Sequence, residues 1–383
     1  MKPFTEILDK ISYANTALKK ENAKRILLLY EEKVLFIGDT CIKFGMFELF
    51  KSFFPNAHID LNWKNSKFSE AYEALLQDNP IVNKMTNLDW SNLDFSCYDL
   101  VLIISFEEEN FLSMLERKYH SLMAGFPWNT AFFSLSRIGL NLTTRKAEVC
   151  FPEYTELINF AVQYPHQPQL FISEVERQWG KEWLEAHRID QEDKLFILID
   201  SASSTDKLVN TKTFCELITF LSGIEKSKIL IYDENLSGKE KFYAERIPRQ
   251  TLSKMIFAKG LGLRRDLRLV ASPYTKLVFG PCTGLLHCAS GIYNQFVKDG
   301  MLRHTVPPLI TYTGTYEGDW NNAHLWWGTS PLVQCLMLKN INDNKKVVLL
   351  HELNEKEKTN KENLLPCQEY TAPLLINHLK GYI

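Results

Sequence analysis

The sequence predicts an α/β protein of two domains, each built on a parallel sheet with helices on both faces. Three observations support this prediction. The chain has 383 residues, short apolar runs alternate with segments of helical periodicity, and a proline-rich stretch divides that alternation into two series. A chain of this length exceeds what one hydrophobic core usually organises, so two domains are expected. Strands that alternate with helices pair in parallel and become buried on both faces.

The first series lies in residues 1–165. Apolar side chains at helical spacing predict an initial helix over residues 5–24, outside the sheet. Two short apolar runs then predict strands or a hairpin at 25–30 and 33–37, before a Gly-Asp turn. The remaining predicted elements are helices at 42–54, 69–76 and 110–123 and strands at 58–63, 100–105 and 129–134.

The domain boundary is predicted between residues 165 and 166, within a stretch rich in Pro, Gln and Tyr. The second domain, residues 166–383, repeats the alternation of strands and helices. Its predicted strands lie at 195–199, 228–232, 276–279 and 308–312, and its predicted helices at 174–187, 211–221, 263–271 and 283–292. A last helix at about 370–380 could pack back on the N-terminal domain.

Composition and charge favour an ordinary soluble protein from a reducing compartment. The formal net charge is −2, which argues against a nucleic-acid partner because such binding needs a dense positive field. Eight cysteines without a CxxC pair argue against a metal site. The sequence shows no apolar signal core and no run of about 18 apolar residues. A cytoplasmic location is therefore expected, with peripheral contact to the inner membrane surface left open.

Asp39 is the candidate acid–base residue of the first domain. It follows Gly38 beyond an apolar strand, and ligands of open parallel sheets bind beyond the carboxyl ends of the strands. Asp is also a preferred helix-capping residue. From this position alone, a catalytic carboxylate and a helix cap both remain open.

The turn after strand 276–279 is the main candidate for an anion site in the second domain. It reads Gly280-Pro-Cys-Thr-Gly-Leu-Leu-His287. A strand-to-helix turn with glycines lets backbone N–H groups face an anion at the helix N-terminus. Thr283 adds a hydroxyl, and His287 follows one helical turn later on the same side. A structural histidine is the alternative interpretation of His287.

A second loop of the same domain follows strand 195–199 and reads Asp200-Ser-Ala-Ser-Ser-Thr-Asp-Lys207. The hydroxyls of Ser203 and Ser204 and the ammonium of Lys207 suit a diphosphate, although a simple polar turn would have the same composition. Both loops follow parallel strands of one sheet. They could therefore converge on one ligand.

A third region, residues 312–320, offers Glu317 together with a glycine and aromatic residues that suit a sugar or a base. The clustered Trp320, Trp326 and Trp327 could equally be packing residues. The sequence lacks the GxxxxGK(S/T), HExxH, GxSxG and GxGxxG motifs. Their absence argues against a P-loop ATPase, a zincin, an α/β-hydrolase and a standard NAD enzyme.

Taken in chain order, these segments resemble glycosyltransferase family 9, which contains the ADP-heptose:lipopolysaccharide heptosyltransferases. The resemblance covers most of the chain and is most specific in the second half. The family signature Asp-Thr-Gly-x-x-His-x-Ala corresponds here to Cys282-Thr283-Gly284-Leu-Leu-His287-Cys-Ala289. The early Gly-Asp turn of the family corresponds to Gly38-Asp39, and its lysine-bearing loop to Ser203-Ser-Thr-Asp-Lys207.

The resemblance implies a GT-B fold, in which two Rossmann-like domains face each other across a cleft. It implies an inverting, metal-independent transfer from a nucleotide-sugar, with ADP as one candidate nucleotide and no cofactor, to a glycan or lipid-linked glycan. Asp39 corresponds to the general base for the acceptor, and Lys207 to the lysine that meets the donor phosphates. The rest of the predicted donor-binding set is Ser203, Ser204, Cys282, Thr283, Gly284, His287 and Glu317.

The chain departs from the family pattern at two points. Cys282 replaces the signature Asp, and segment 293–305 is longer than the helix-to-strand link of the family. Three rival interpretations stay open. They are a hydrolytic GT-B enzyme in which water replaces the acceptor, a non-catalytic GT-B protein that binds a nucleotide or glycan, and a dinucleotide-binding dehydrogenase-like protein. The missing glycine fingerprint argues against the third.

Overall fold

The computed structural model describes residues 4–31, 36–64, 69–119, 129–139, 149–164, 167–315, 327, 330–354, 356–357 and 363–383. The chain separates into two compact units, Met1–His166 and Gln167–Ile383. Among the described residues, none of the helices combines the length and the apolar character that a membrane span requires.

The first unit contains a five-stranded parallel sheet in the order β3-β2-β1-β4-β5. Its strands are β1 (Arg25–Glu31), β2 (His58–Lys64), β3 (Val82–Thr86), β4 (Leu100–Ile104) and β5 (Ala131–Ser134). Its helices are α1 (Thr5–Ala17), α2 (Ile37–Lys43), α3 (Gly45–Phe53), α4 (Ser69–Leu76), α5 (Glu108–Tyr119), α6 (Ser136–Gly139) and α7 (Thr155–Gln163).

The central strands of the first sheet are buried on both faces. Leu27 and Leu29 of β1 share a core cluster with residues of α1 and α5. Tyr30, the next residue of β1, points to the other face and stacks on Trp63 with ring centroids 4.7 Å apart. Burial on both faces explains why β1 and β4 appear in the sequence as continuous apolar runs rather than alternating patterns.

The structure corrects the prediction for the segment before Asp39. Ile37, expected at the end of a second strand, instead begins α2, and residues 33–35 of the predicted strand lie outside the described residues. Asp39 therefore occupies the first turn of a helix rather than a turn between strand and helix. A carboxylate is favourable there because it faces the positive end of the helix dipole. The initial helix is also shorter than predicted and ends at Ala17.

The second unit contains a seven-stranded sheet in the order β12-β11-β10-β9-β6-β7-β8. Its strands are β6 (Lys194–Leu198), β7 (Ser227–Asp233), β8 (Met255–Lys259), β9 (Thr275–Pro281), β10 (Leu309–Thr313), β11 (Val333–Ile341) and β12 (Asn344–Leu349). Its helices of four residues or more are α8 (Glu174–Ala186), α9 (Thr211–Ser222), α10 (Lys239–Ala244), α11 (Arg249–Leu252), α12 (Leu263–Val270), α13 (Gly284–Lys298) and α14 (Ala372–Leu379).

The second sheet is mixed rather than purely parallel. Strand β12 pairs antiparallel with β11 through a hairpin, while the other neighbours pair in parallel. Asn342 and Asp343 form the hairpin turn with φ angles of 49° and 62°. Asn and Asp tolerate this left-handed conformation, so the pair was a hairpin signal that our sequence analysis did not use.

The final helix packs within its own unit. Leu375 and Leu379 of α14 are fully buried and belong to the same core cluster as Leu217 and Ile218 of α9. Its apolar stripe packs on α9 and on the adjoining β12.

Candidate functional site

Two loops of the second unit meet at the carboxyl ends of neighbouring strands. Strands β6 and β9 are paired; the loop after β6 leads to the 3₁₀ turn Thr205–Lys207, and β9 leads into α13. The Lys207 ammonium is close enough to His287 to help lower the pKa of the imidazole. The structure thus brings Lys207 and the turn before α13 to one place on the sheet edge.

The Gly280 position is explained by packing rather than by a turn. Strand β9 continues through Pro281, so Gly280 lies inside the strand. A Cβ atom on Gly280 would lie 2.7 Å from the Ile199 Cβ atom and 2.9 Å from the Ile199 carbonyl oxygen. Only glycine allows β9 to approach the end of β6 this closely, and that approach places the two loops side by side.

Helix α13 begins at Gly284 with Thr283 as its extended N-cap residue (φ −138°, ψ 167°). The Thr283 hydroxyl does not cap the helix, and within the described part of the chain the buried hydroxyl has no hydrogen-bond partner. The first N–H groups of a helix lack intrahelical acceptors. A fifteen-residue helix also adds the positive end of its dipole. This end of α13 therefore suits an anion.

His287 is a buried, neutral imidazole. Its side chain lies in the first turns of α13 and only 3% of its surface is exposed. Burial first, and the Lys207 charge second, lower its pKa to about 3. The ring is therefore uncharged near neutral pH, so it can order the site through hydrogen bonding and stacking but supplies no positive charge to an anion.

Cys282 and Trp327 complete the environment of His287. The Trp327 indole stacks on the imidazole with centroids 3.8 Å apart and planes 5° apart. Its Nε1–H donates to the Cys282 Sγ atom at 3.0 Å, and that sulfur lies 3.9 Å from His287 Nε2. The residue that replaces the signature Asp thus belongs to an aromatic and hydrogen-bonded cluster with His287.

The loop that bears Lys207 is organised by its own hydroxyls. The Lys207 ammonium donates to the Ser203 hydroxyl at 3.3 Å, and the Ser204 hydroxyl accepts from the Asp206 N–H at 3.3 Å. Ser203 and Ser204 therefore shape the turn and direct the ammonium. Glu317, the remaining donor-binding prediction, lies outside the described residues, as do Trp320 and Trp326.

Asp200 anchors the start of this loop, a role that the sequence analysis missed. Its carboxylate accepts from the Lys239 ammonium at 2.6 Å and from the Tyr243 hydroxyl at 2.7 Å. Both partners come from α10, about forty positions further along the chain. Sequence spacing carries no signal for such a contact, since the fold alone brings these segments together.

Two carboxylates, Asp233 and Glu234, lie at the end of β7 and have different environments. Asp233 accepts hydrogen bonds from the Ser237 hydroxyl and from the N–H groups of Ser237, Gly238 and Lys239. Burial raises the pKa of Asp233, but these hydrogen bonds outweigh it and the pKa is lowered. Asp233 is therefore a turn residue. Glu234 is exposed at the strand end and stays available to a ligand.

The basic segment 264–268 forms helix α12, as predicted, but only part of it faces solvent. Arg264 is 8% exposed and donates to Glu176 of α8 from Nε at 2.7 Å and from Nη2 at 2.6 Å. Asp266 is also buried, with its Oδ1 atom unpaired among the residues described. Burial first, and Glu234 second, raise the Asp266 pKa to about 8.

In the first unit, helix α2 carries an unusual set of polar side chains. Asp39 lies in its first turn and is half-buried. Thr40 and Lys43 are both buried, at 0% and 2% exposure, and burial lowers the Lys43 pKa to about 8. Burying the charge of a lysine costs free energy, and groups with a shifted pKa cluster at functional sites. Helix α2 is therefore a second candidate for a functional role.

A second carboxylate lies at the carboxyl edge of the first sheet. Glu31 ends β1 and accepts a hydrogen bond from the Ser105 hydroxyl at 2.9 Å, just beyond β4. Its other oxygen is 3.7 Å from the Lys64 ammonium at the end of β2. The sheet order reverses between β1 and β4, which is where open α/β sheets bind ligands. Sequence analysis did not single out Glu31, which lies between the two apolar runs 25–30 and 33–37.

Across the described segments, no three His, Cys, Asp or Glu side chains are placed to hold a metal ion together.

No family model matches the sequence, and no curated protein matches it. Solved structures match nearly the whole chain. The ADP-heptose lps heptosyltransferase II of E. coli superimposes with a TM-score of 0.59 at 14% identity, covering 94% of this chain and 98% of that one. The glycosyltransferase family 9 protein of Veillonella parvula DSM 2008 gives 0.59 at 14% identity, covering 95% and 98%.

The chain has the GT-B fold. Its overlap with nearly the full length of two such structures confirms the predicted fold class. A third structure, E. coli heptosyltransferase WaaC with ADP-2-deoxy-2-fluoro heptose, matches with a TM-score of 0.50 at 12% identity over 94% of this chain and 100% of that one. In this chain, the Lys207 loop and α13 meet at the carboxyl edge of the second sheet.

Proposed function

We propose that the protein is a glycosyltransferase that moves a sugar from a nucleotide-activated donor to a hydroxyl of a glycan acceptor. One observation carries this proposal: Lys207 and the N-terminus of α13 lie together at the ends of two adjacent parallel strands. A cation beside a helix N-terminus is suited to a diphosphate. The structural similarity to two heptosyltransferases supports the same class of reaction.

The donor diphosphate lies against the first N–H groups of α13, from Gly284 onward, and meets the Lys207 ammonium. Negative charge grows on the diphosphate as the bond to the anomeric carbon breaks. Fixed N–H dipoles and the lysine stabilise that charge without reorganisation. Thr283 contributes its hydroxyl, and neutral His287 orders the turn through its stack on Trp327. The reaction in this proposal uses no metal ion and no cofactor.

The acceptor hydroxyl attacks the anomeric carbon from the side opposite the diphosphate, so the configuration inverts. The new C–O bond forms as the bond to the diphosphate breaks, and the nucleoside diphosphate leaves. Asp39 takes the proton of the acceptor hydroxyl as general base. It lies in the first turn of α2, where the helix dipole favours a negatively charged side chain.

The finer assignments also belong to this proposal. The donor sugar is heptose-like and ADP-linked, and the acceptor is a glycan or a lipid-linked glycan of the lipopolysaccharide type. Transfer takes place in the cytoplasm, with peripheral contact to the membrane surface that presents the acceptor.

The donor assignment is tested by thermal shift against ADP-, GDP-, UDP- and CMP-linked sugars. A ligand that binds only the folded state at about 100 times its dissociation constant adds about 2.7 kcal/mol to the free energy of unfolding. We expect one nucleotide class to raise the melting temperature selectively. No shift with any of the four classes would contradict the proposal.

Lys207→Ala should weaken binding of that nucleotide by about tenfold to a hundredfold, because a charge-assisted hydrogen bond to phosphate is lost. Isothermal calorimetry measures the dissociation constant. Lys212→Ala is the matched control, since Lys212 is an exposed lysine five positions away whose nearest acidic partner is Glu216 of the same helix. Equal affinities in the two variants would remove Lys207 from the donor site.

Asp39→Asn should lower turnover by at least about a hundredfold while leaving nucleotide affinity unchanged, because general base catalysis contributes about that much or more. Turnover is followed as release of nucleoside diphosphate in the presence of acceptor. Asp9→Asn, an exposed carboxylate of the same unit, is the control. Near-normal turnover in Asp39→Asn would show that another group accepts the proton.

Cys282 favours one second candidate, a GT-B protein that binds the nucleotide without transferring a sugar. Its sulfur is engaged by Trp327 and lies near His287, and it carries no fixed negative charge where the family signature has a carboxylate. Tight nucleotide binding without turnover of any donor would select this candidate. Release of free sugar from the donor without acceptor would instead indicate a hydrolase.

A further inference from the structure

The imidazole of His287 has two ring nitrogens and, when neutral, a single proton to place on one of them. The protonated nitrogen donates a hydrogen bond and the bare one accepts, so the two arrangements present opposite edges of the ring. His287 is buried and neutral, since burial first and Lys207 second lower its pKa to about 3. Neighbouring hydrogen bonds, rather than the pH, therefore decide which nitrogen carries the proton.

Two side chains define the surroundings of this ring. The Trp327 indole lies flat against its face, with centroids 3.8 Å apart and planes 5° apart. The Cys282 Sγ atom lies at its edge, in a hydrogen-bonding contact of 3.9 Å with Nε2. Cys282, His287 and Trp327 are all buried, so water competes little for these contacts. The ring nitrogen that faces the thiol is therefore Nε2.

The Cys282 sulfur accepts a hydrogen bond from Trp327, whose indole Nε1–H lies 3.0 Å away and can only donate. Towards Nε2 of His287, the same sulfur can either accept a second N–H or donate its own S–H. A second N–H would place two donors on one sulfur, which is a weak acceptor. Donation of the S–H to a bare Nε2 uses the better acceptor of the pair. This arrangement leaves the imidazole proton on Nδ1.

The first turn of α13 places the ring of His287 beside the proposed diphosphate site. His287 follows Thr283 by four positions and lies on the same side of the helix. Helical side chains lean towards the N-terminus of their helix, where the unpaired N–H groups are. The buried Thr283 hydroxyl has no hydrogen-bond partner in the described part of the chain. An Nδ1–H on His287 adds a second side-chain donor to this turn without adding charge.

We propose that Cys282 is a positioning residue: its thiol donates to Nε2 of His287, holds the imidazole proton on Nδ1 and so directs that N–H to the donor diphosphate. The contact with the diphosphate rests on the proposed function, whereas the position of the proton does not. An ionised Asp at position 282, as in the family signature, would do the reverse, because a carboxylate only accepts and draws the proton to Nε2. Cys282 thus reverses the hydrogen-bonding edges of His287.

The test is ¹⁵N NMR of the full chain with labelled histidine, because protonated and bare ring nitrogens are distinct and resonate apart. The sequence has nine histidines, and His287→Gln identifies the signal of His287 by its absence. His287→Asn gives the same assignment if the glutamine variant does not fold. We expect a protonated Nδ1 and a bare Nε2 at pH 7 without ligand. A protonated Nε2 would overturn the proposal, whatever the result of the donor screen.

Replacement of Cys282 tests the part played by the sulfur. Cys282→Asp should move the proton to Nε2 and raise the His287 pKa, because the new carboxylate accepts from the ring and favours its cation. Cys282→Ala removes the S–H, so the proton should distribute over both nitrogens. Cys288→Ala is the matched control, since Cys288 is also buried and follows His287 in α13. Unchanged His287 signals in both Cys282 variants would contradict the role of the thiol.

Trp327→Phe tests the part played by the indole. Phenylalanine keeps an aromatic ring against the imidazole but removes the Nε1–H, so the Cys282 sulfur becomes able to accept from His287. The Nε2 signal should therefore move towards that of a protonated nitrogen. A proton that moves in Trp327→Phe but stays in place in Cys282→Ala would assign the control to the indole and overturn the proposal.

Nucleotide affinity separates this proposal from the proposed donor site. Cys282→Ala lowers the fraction of molecules with an Nδ1–H, so the dissociation constant of the nucleotide found in the donor screen should rise by about twofold to tenfold. Lys207→Ala should weaken the same binding without moving the His287 proton. A proton that moves in Cys282→Ala with no change in affinity would overturn the positioning role and leave the donor site intact.

Discussion

At the scale of single residues, burial decides which titratable groups are charged. His287 is kept neutral by burial and by the Lys207 ammonium, so the positive charge at the proposed donor site comes from lysine and from backbone dipoles. The pKa of Asp266 is raised where that of His287 is lowered, because burial favours the uncharged form of each group. The protonation state of neither residue could be assigned from its type, because it depends on how completely the neighbouring helices and strands exclude water from the side chain.

Asp266→Asn should stabilise the protein at pH 8 and have little effect near pH 4. The folded-state pKa of Asp266 is about 8, above its unfolded value of about 3.9. The stability that the protonated acid contributes is therefore lost as the pH rises from about 4 to about 8. The neutral amide avoids this loss, so the variant should gain about 1–3 kcal/mol at pH 8.

Urea denaturation at several pH values measures this gain in the free energy of unfolding. Asp9→Asn, at an exposed position, is the control and should show no such pH dependence. A gain in Asp266→Asn that is equal at pH 4 and pH 8 would mean that the ionisation of Asp266 is not its cause.

At the scale of helices and strands, two structural features position the candidate site of the second unit. The first is the close approach of β9 to Ile199 at Gly280, which sets the two loops beside each other. The second is the ion pair network that joins α8 to α12, in which Glu176 accepts from Arg264 and Arg268. Helix α12 lies between β8 and β9 along the chain, so its anchoring supports the strand that leads into α13.

Gly280→Ala should destabilise the fold by about 1–3 kcal/mol, because the new methyl group overlaps the Ile199 backbone, which cannot move aside cheaply. Thermal or chemical unfolding measures the loss. Gly381→Ala is the matched control, since its added Cβ atom would meet only the His378 carbonyl oxygen, at 3.6 Å. Similar losses in both variants would show that close packing at β9 is not the reason for glycine.

Glu176→Gln should cost about 3 kcal/mol of stability near neutral pH, because it leaves buried Arg264 without its charged partner. Burial raises the Glu176 pKa, but the Arg264 hydrogen bonds and charge outweigh it and bring the pKa to about 2. Since the folded pKa lies below the unfolded one, the stability is present above about pH 4.3 and is lost as pH falls toward 2.

The matched control for this variant is Glu174→Gln. Glu174 pairs with Arg177 on the same helix and its side chain is 81% exposed, so its loss should cost less than about 1 kcal/mol. Acid-unfolding curves should differ from those of the unmodified protein only in Glu176→Gln. Equal effects of the two variants would show that the network contributes no more than a surface pair.

At the scale of the whole molecule, periodicity predicted most strands and helices well. Continuous apolar runs located β1, β4, β6 and β10, because strands covered on both faces leave no polar alternation. Among the described residues, the prediction missed strands β3, β8, β11 and β12. Strand β3 carries polar side chains at the sheet edge, and β12 exposes half of its residues, so neither has the apolar run that the prediction used. Strands β8 and β11 were missed although most of their residues are buried or half-buried.

The sequence by itself determined the two-unit α/β architecture, because local periodicity is carried by neighbouring residues. Its resemblance to a known family implied the GT-B fold class, and its turn chemistry predicts the residues of the proposed donor site. Only the tertiary structure decided that Asp39 lies inside a helix, that His287 is neutral, and that Asp200 anchors the loop to α10. These depend on burial and on contacts between distant segments, and a linear pattern does not encode how far water is excluded from a side chain.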